Sequence, residues 1–68
     1  MIILEPGDLL IEQDGNYALL LKRDKSLGVG AWTVIWNNGR MDMFPWVENS
    51  IKSDIHEGNL KLIKGGHK

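Results

Sequence analysis

The residues of this 68-residue chain that could do chemistry are few and scattered. His56 stands in Asp54-Ile55-His56-Glu57, where two carboxylates and an imidazole would suit a cation if the fold gathered them; beside a turn signal such groups are more often solvated. Ser26, Ser50 and Ser53 have no histidine at a spacing that marks a nucleophile and its base. Gly28-Val29-Gly30 has neither the lysine of a P-loop nor the third glycine and following helix of a dinucleotide fingerprint. A domain this small also has little room for a pocket. No catalytic residue, metal ligand or cofactor is assigned, and an enzyme is the least favoured class.

What remains is aromatic. All three tryptophans and the only phenylalanine lie in WTVIWNNGRMDMFPW, residues 32 to 46. Rings on a small domain are either its core or a platform for a partner, and the elements that carry them decide which.

Those elements read as strands. Glycines at 7, 15, 28, 30 and 39 punctuate short runs rich in Leu, Ile, Val and Trp, the spacing of an all-β domain. Pro6-Gly7 suits the centre of a type II turn. Strands are expected over Leu9–Glu12, Tyr17–Arg23, Ala31–Asn37, Arg40–Trp46 and Asn59–Lys64, with Asp14-Gly15 and Asn38-Gly39 as two-residue hairpin loops. Asp24 to Gly30 reads as an exposed loop. Between Asn49 and Gly58, Asn49 could cap a short helix that buries Ile51 and Ile55; a loop with a single turn is the alternative.

Five short strands, two tight hairpins and a near-helical turn before the last strand describe a single domain over residues 1–68, a five-stranded antiparallel barrel with at most one short helix. Through its "PGDL" opening, its Gly-bounded second strand and the turn "W-N-N-G-R", the chain resembles the small SH3-like barrel proteins of phage type, over most of residues 5 to 64. Members of that group have no settled activity, so the resemblance implies a fold and an intracellular setting, cytoplasmic or virion-associated, rather than a reaction.

A two-residue Asn38-Gly39 loop would set Trp36 opposite Met41 and Val34 opposite Met43. One face is then Trp32, Val34, Trp36, Met41 and Met43, expected in the core; the other is Thr33, Ile35, Asn37, Arg40, Asp42 and Phe44. Trp46 continues the phase of Phe44 unless Pro45 introduces a bulge. The candidate binding surface is therefore Ile35, Arg40, Asp42, Phe44 and Trp46. Likewise a two-residue Asp14-Gly15 loop would group Leu9, Ile11, Ala18 and Leu20 on one face, with Leu10, Tyr17, Leu19 and Leu21 on the other.

Eight Lys and Arg against nine Asp and Glu give a formal charge of −1, with no net field toward nucleic acid or an anionic membrane. Basic surface is confined to Lys22, Arg23 and Lys25 and to a terminal group, Lys61, Lys64, His67 and Lys68, which reads as a solvated tail. The expected function is a small binding or adaptor module whose partner is a protein or peptide rather than nucleic acid. The alternatives are a self-assembling accessory protein and a weak single-stranded nucleic-acid binder. A small core without cysteine also gains from association, so a homo-oligomer is possible. No apolar run is long enough to cross a membrane.

Overall fold

A computed structural model describes residues 2–24 and 30–65. The elements follow in the order β1 (Leu9–Glu12), β2 (Tyr17–Asp24), β3 (Ala31–Trp36), β4 (Met41–Met43), α1 (Glu48–Glu57) and β5 (Leu60–Ile63). The strands form one antiparallel sheet in the order β4-β3-β2-β1-β5, open because β4 and β5 do not pair with each other. Most of the expected Asp24–Gly30 loop, with Lys25, Ser26, Gly28 and Val29, lies outside the described residues, as do His67 and Lys68.

Successive residues of a strand point to opposite faces, and the apolar residues use that alternation. Leu10, Ala18, Leu20, Trp32 and Val34 point inward and are fully buried, joined by Leu4, Phe44, Ile51 and Leu60. Unbroken alternation along β2 would next bury Lys22. Instead the register with β3 slips at Leu21: Leu20 faces Val34, but Lys22 faces Thr33 and Arg23 faces Trp32. The extra residue is a β-bulge, which turns Lys22 out to solvent and sets Arg23 on the side of Trp32.

Both hairpins differ from the two-residue loops expected of Asp-Gly and Asn-Gly. Leu10 faces Ala18 and Ile11 faces Tyr17, and the turn closes with Glu12 N–H to Asn16 O (2.8 Å) and Gly15 N–H to Glu12 O (3.0 Å). The second closes alike, Trp36 N–H to Arg40 O (2.9 Å) and Gly39 N–H to Trp36 O (2.8 Å), with Ile35 opposite Met41 and Val34 opposite Asp42. Each loop has three residues, a type I turn followed by a left-handed glycine, Gly15 at φ 93° and Gly39 at φ 86°. A two-residue type I′ loop would need positive φ at Asp14 or Asn38, and no described non-glycine residue has it. The side chains favour the longer loop: Asp14 Oδ1 accepts the Asn16 N–H (3.0 Å) and Asn38 Oδ1 the Arg40 N–H (2.9 Å).

One residue of register exchanges the faces of a strand. Leu10 is therefore inside, while Leu9, Ile11 and Leu19 lie on the outer face. Met41 and Met43, expected in the core, are exposed, Met41 by 63 %. Phe44, expected outside, is buried at 3 % exposure; its N–H extends the ladder to Trp32 O (2.8 Å).

The helix starts one residue before the expected cap. Val47, in extended conformation, is the N-cap and Asn49 lies inside α1. Ile51 is buried and Ile55 packs against the core, as their i,i+4 spacing requires. Gly58, at φ 87°, ends the helix as expected: its N–H bonds Ile55 O (3.2 Å) and the Asn59 N–H bonds Asp54 O (2.9 Å), a Schellman motif. The Pro6-Gly7 turn also forms where expected, closed by Asp8 N–H to Glu5 O (3.1 Å).

Candidate functional site

Three rings descend from core to surface at one end of the molecule. Trp36 stacks on Phe44 with centroids 5.5 Å apart, and Phe44 meets Trp46 edge to face at 5.8 Å. Phe44 is the buried member, Trp36 is half-buried and Trp46 is 43 % exposed. A core ring thus supports a surface ring, which holds the indole in place while leaving it accessible.

Shallow hollows surround these rings. One, of about 360 Å³, lies between the two hairpin loops and is lined by Glu12, Asn16, Trp36, Asn37, Asn38, Arg40 and Asp42. A second, of about 350 Å³, lies against Trp46 among Glu12, Gln13, Asp14, Asn59 and Leu60. A third, of about 320 Å³, adjoins Trp46 on α1 beside Ser50, Ser53 and Asp54. Glu12 is shared by the first two and Trp46 by the last two, so the three hollows adjoin one another at these residues and are together called the groove. Its floor is tied together by Asn37 Nδ2 to Asn16 Oδ1 (3.4 Å), Gln13 Nε2 to Asn59 Oδ1 (3.4 Å) and Asn59 Nδ2 to Asp54 Oδ1 (3.3 Å).

The groove is acidic. Glu12, Asp14, Asp42 and Asp54 line it, and among the described residues its only lining cation is Arg40, 3.8 Å from Asp42. Burial, and then the nearby Asp14 charge, push the Glu12 carboxyl above its ordinary value. Elsewhere Arg23 and Lys52 are committed to Glu48, and Lys64 to Glu5 and Asp8. Lys64 is therefore part of an ion-pair cluster and not of a solvated tail.

Of the five residues expected to form a surface, Arg40, Asp42 and Trp46 line this groove. Phe44 lies beneath it as support. Ile35 is on the other face of the sheet, opposite Met41 and Leu19. Alternation about the wrong hairpin register hid the contribution of Trp36, Glu12 and Asp14; their position at the ends of two adjacent hairpins was the available signal.

Two polar clusters escape a reading by strand and turn. Glu48 Oε1 accepts the indole N–H of buried Trp32 (2.9 Å) and Arg23 Nε–H (2.8 Å), while the Arg23 guanidinium lies 4.9 Å from the Trp32 ring centroid and donates to Leu4 O (2.9 Å). Burial alone would raise the Glu48 carboxyl; the hydrogen bonds from Trp32, Arg23 and Lys52, with the Arg23 charge, outweigh it and hold the group below its usual range. Just before β1, Asp8 is fully buried, accepting from Glu5 N–H (2.9 Å), Gly65 N–H (2.9 Å) and Lys64 Nζ (2.6 Å). The hydrogen bond that it donates to Asp8 is the main cause that raises the Lys64 ammonium above its ordinary value. Both clusters hold the fold together; beside the second, a hollow of about 350 Å³ is lined by Ile2, Ile3, Glu5, Leu62 and Lys64.

Among the described residues, no three His, Asp or Glu side chains are grouped to hold a metal ion, and no helix is long and apolar enough to cross a membrane. No model of a known protein family matches the chain, and neither does any curated protein or solved structure.

Proposed function

We propose that this chain is a small, non-enzymatic binding module with an SH3-like barrel, working inside the cell, whose groove at the Trp36–Phe44–Trp46 end receives a protein or peptide segment. The strand order β4-β3-β2-β1-β5 and the bulged β2 support the barrel reading. The observation that carries the function is the half-exposed Trp46 braced on buried Phe44. Tryptophan held in place at low entropic cost is the side chain most often found as an anchor at contacts. The carboxylates around it repel phosphate, which argues against nucleic acid as the partner.

Selection from a random peptide library tests this reading. Selected peptides should move the indole N–H resonances of Trp46 and Trp36, and Trp46→Ala should abolish binding without lowering the melting temperature by more than a few degrees. Binders that leave both indoles unmoved would end the proposal.

Self-association is the second reading, favoured by the outer face of the sheet. Met41, Ile35, Leu19, Leu9 and Ile63 stand opposite one another in a row across all five strands, with Tyr17 and Met43 alongside. Four of these seven, Met41, Met43, Tyr17 and Ile63, are exposed. The middle of that row, Ile35, Leu19 and Leu9, is only partly exposed, so this reading ranks below the groove. Sedimentation over a hundredfold concentration range decides it, a constant monomer mass removing it.

A further inference from the structure

From charge and shape we infer that the groove's occupant is an extended segment bearing two basic side chains, one for each of the two hollows that meet at Trp46. This inference rests on the groove being the binding site and names the chemistry of what it takes.

The hollow toward the first hairpin places Glu12 and Asp14 beside the indole, and the hollow toward α1 places Asp54 there. A guanidinium or ammonium in either one has the indole and a carboxylate within the same lining, the two groups that attract a cation. Arg40, the lining cation, belongs to the first hollow, between the hairpin loops, where Asp42 answers it; among the described residues no basic side chain lines either hollow at Trp46. Lys22 and Lys61 are on strands of the sheet, and Arg23, Lys52 and Lys64 are engaged with Glu48, Asp8 and Glu5. Acidic charge thus collects around the one tryptophan that is exposed, in a chain whose net charge is only −1. The groove is also long and shallow, running from one hairpin loop to the helix, which suits an extended backbone rather than a compact ligand. Side chains two apart on such a backbone lie on one face about 7 Å apart, so a basic-X-basic pattern can present both cations to the same tryptophan.

The test titrates the whole protein with three eight-residue peptides that differ at two positions separated by one residue: both arginine, one arginine and one citrulline, or both citrulline. The readout is the Trp46 indole N–H resonance, assigned through Trp46→Phe. Citrulline keeps the shape of arginine, removes the charge and replaces one terminal amino group by a carbonyl oxygen. The two-arginine peptide should shift the resonance, with the two-citrulline peptide about tenfold weaker, the loss expected when exposed cation–π and ion-pair contacts are removed together. The double variant Asp14→Asn/Asp54→Asn keeps the oxygen acceptors that hold the turn and Asn59, and should show the same loss while its remaining amide spectrum stays native. Equal affinity of the two-arginine and two-citrulline peptides overturns the inference and leaves the groove reading intact. Equal affinity of the one- and two-arginine peptides overturns the pairing of cations. No movement of Trp46 with the two-arginine peptide at millimolar concentration overturns the inference as a whole, and the library selection above then judges the groove by itself.

Discussion

Trp32, the largest fully buried side chain, donates its indole N–H to the Glu48 carboxylate at 2.9 Å, so the first residue of the helix completes the core of the sheet. The buried ring brings a polar atom that water cannot reach, and Glu48 is placed to meet it because the helix begins where the chain has just passed Phe44, opposite Trp32. Arg23, turned to this side by the bulge at Leu21, neutralises the same carboxylate.

Glu48→Ala should therefore cost about 2 kcal/mol, since it strands a buried indole donor and the Arg23 guanidinium, and an unmet buried polar group costs roughly 1–3 kcal/mol. Chemical denaturation of wild type and variant measures the difference. A variant within about 0.5 kcal/mol of wild type would mean that water satisfies the indole and that the helix is not anchored here.

The same carboxylate sets an acid limb of stability. Its folded-state pKa lies below the ordinary 4.5, so its stabilising contribution is fully present above that value and is lost as pH falls through the lowered folded value. Lys64 acts in the opposite range: its folded-state pKa is raised above 10.5, so its contribution is present at and below neutrality and is lost only in strong alkali. The melting temperature of wild type should fall below about pH 4.5, and Glu48→Gln should flatten that limb relative to wild type while leaving the alkaline limb unchanged. Parallel acid limbs in the two proteins would remove Glu48 as a source of the dependence.

The three tryptophans should separate in two measurements. Trp32→Ala empties a fully buried site and should cost roughly 3–5 kcal/mol, close to the whole stability of a domain this small. Trp46→Ala should cost much less. Acrylamide quenching of single-tryptophan proteins, with phenylalanine at the other two positions, should rank Trp46 above Trp36 and Trp36 above Trp32, following their exposure. Quenching of Trp46 as weak as that of Trp32 in a monomer would mean that the indole is covered and the groove closed.

Much of this architecture was legible because β1 and the start of β2 are fixed by turn residues and alternation, and because Ile51, Ile55 and Gly58 carry a helical spacing with its stop. The hairpin faces were not. Asp-Gly and Asn-Gly favour a two-residue loop, but here Asp14 and Asn38 use their side chains to hold the next strand's first N–H, with glycine one step later taking the positive φ. That one residue moved Phe44 inward, and Met41 and Met43 outward. The three-residue loops also bring Asn16, Asn37 and Asn38 to the mouth of the groove. The Leu21 bulge had no local signal either; its reason is tertiary, the pairing of Arg23 with Glu48 across 25 residues of chain. Asp8 follows from parity once the first register is known, since it continues the inward series of Leu10 and stands opposite Leu20, whose N–H donates to the Asp8 carbonyl at 2.9 Å.

Asp8→Ala gives a direct measure of that buried carboxylate. It would leave the Glu5 and Gly65 N–H groups without their acceptor and reduce the Lys64 ammonium to Glu5 Oε1 and Ile3 O, and breaking such a pair from its buried side costs about 3 kcal/mol. At roughly 4–8 °C per kcal/mol for a domain of this size, the melting temperature should fall by more than about 10 °C. A fall below about 3 °C would show that the ends of the chain are held by apolar contacts alone.

The glycines supply a graded comparison. Gly39 and Gly30 both have positive φ, 86° and 71°, so a Cβ at either position strains the backbone by about 1 kcal/mol. At Gly39 the new methyl group would meet nothing within 4 Å, and Gly39→Ala should cost little more than that strain. At Gly30 the added carbon would lie 3.1 Å from Glu48 Cβ, on a residue whose own N–H bonds the Gly30 carbonyl at 3.0 Å. The start of the helix must then give by a few tenths of an ångström, which stretches the hydrogen bond between Glu48 and the Trp32 indole. Gly30→Ala should therefore destabilise by about 1–2 kcal/mol, strain and weakened hydrogen bond together, and its indole N–H resonance for Trp32 should shift while that of Gly39→Ala stays in place. Equal costs for the two substitutions, with Trp32 unmoved in both, would show that the close approach of Gly30 to Glu48 does not set the position of the helix.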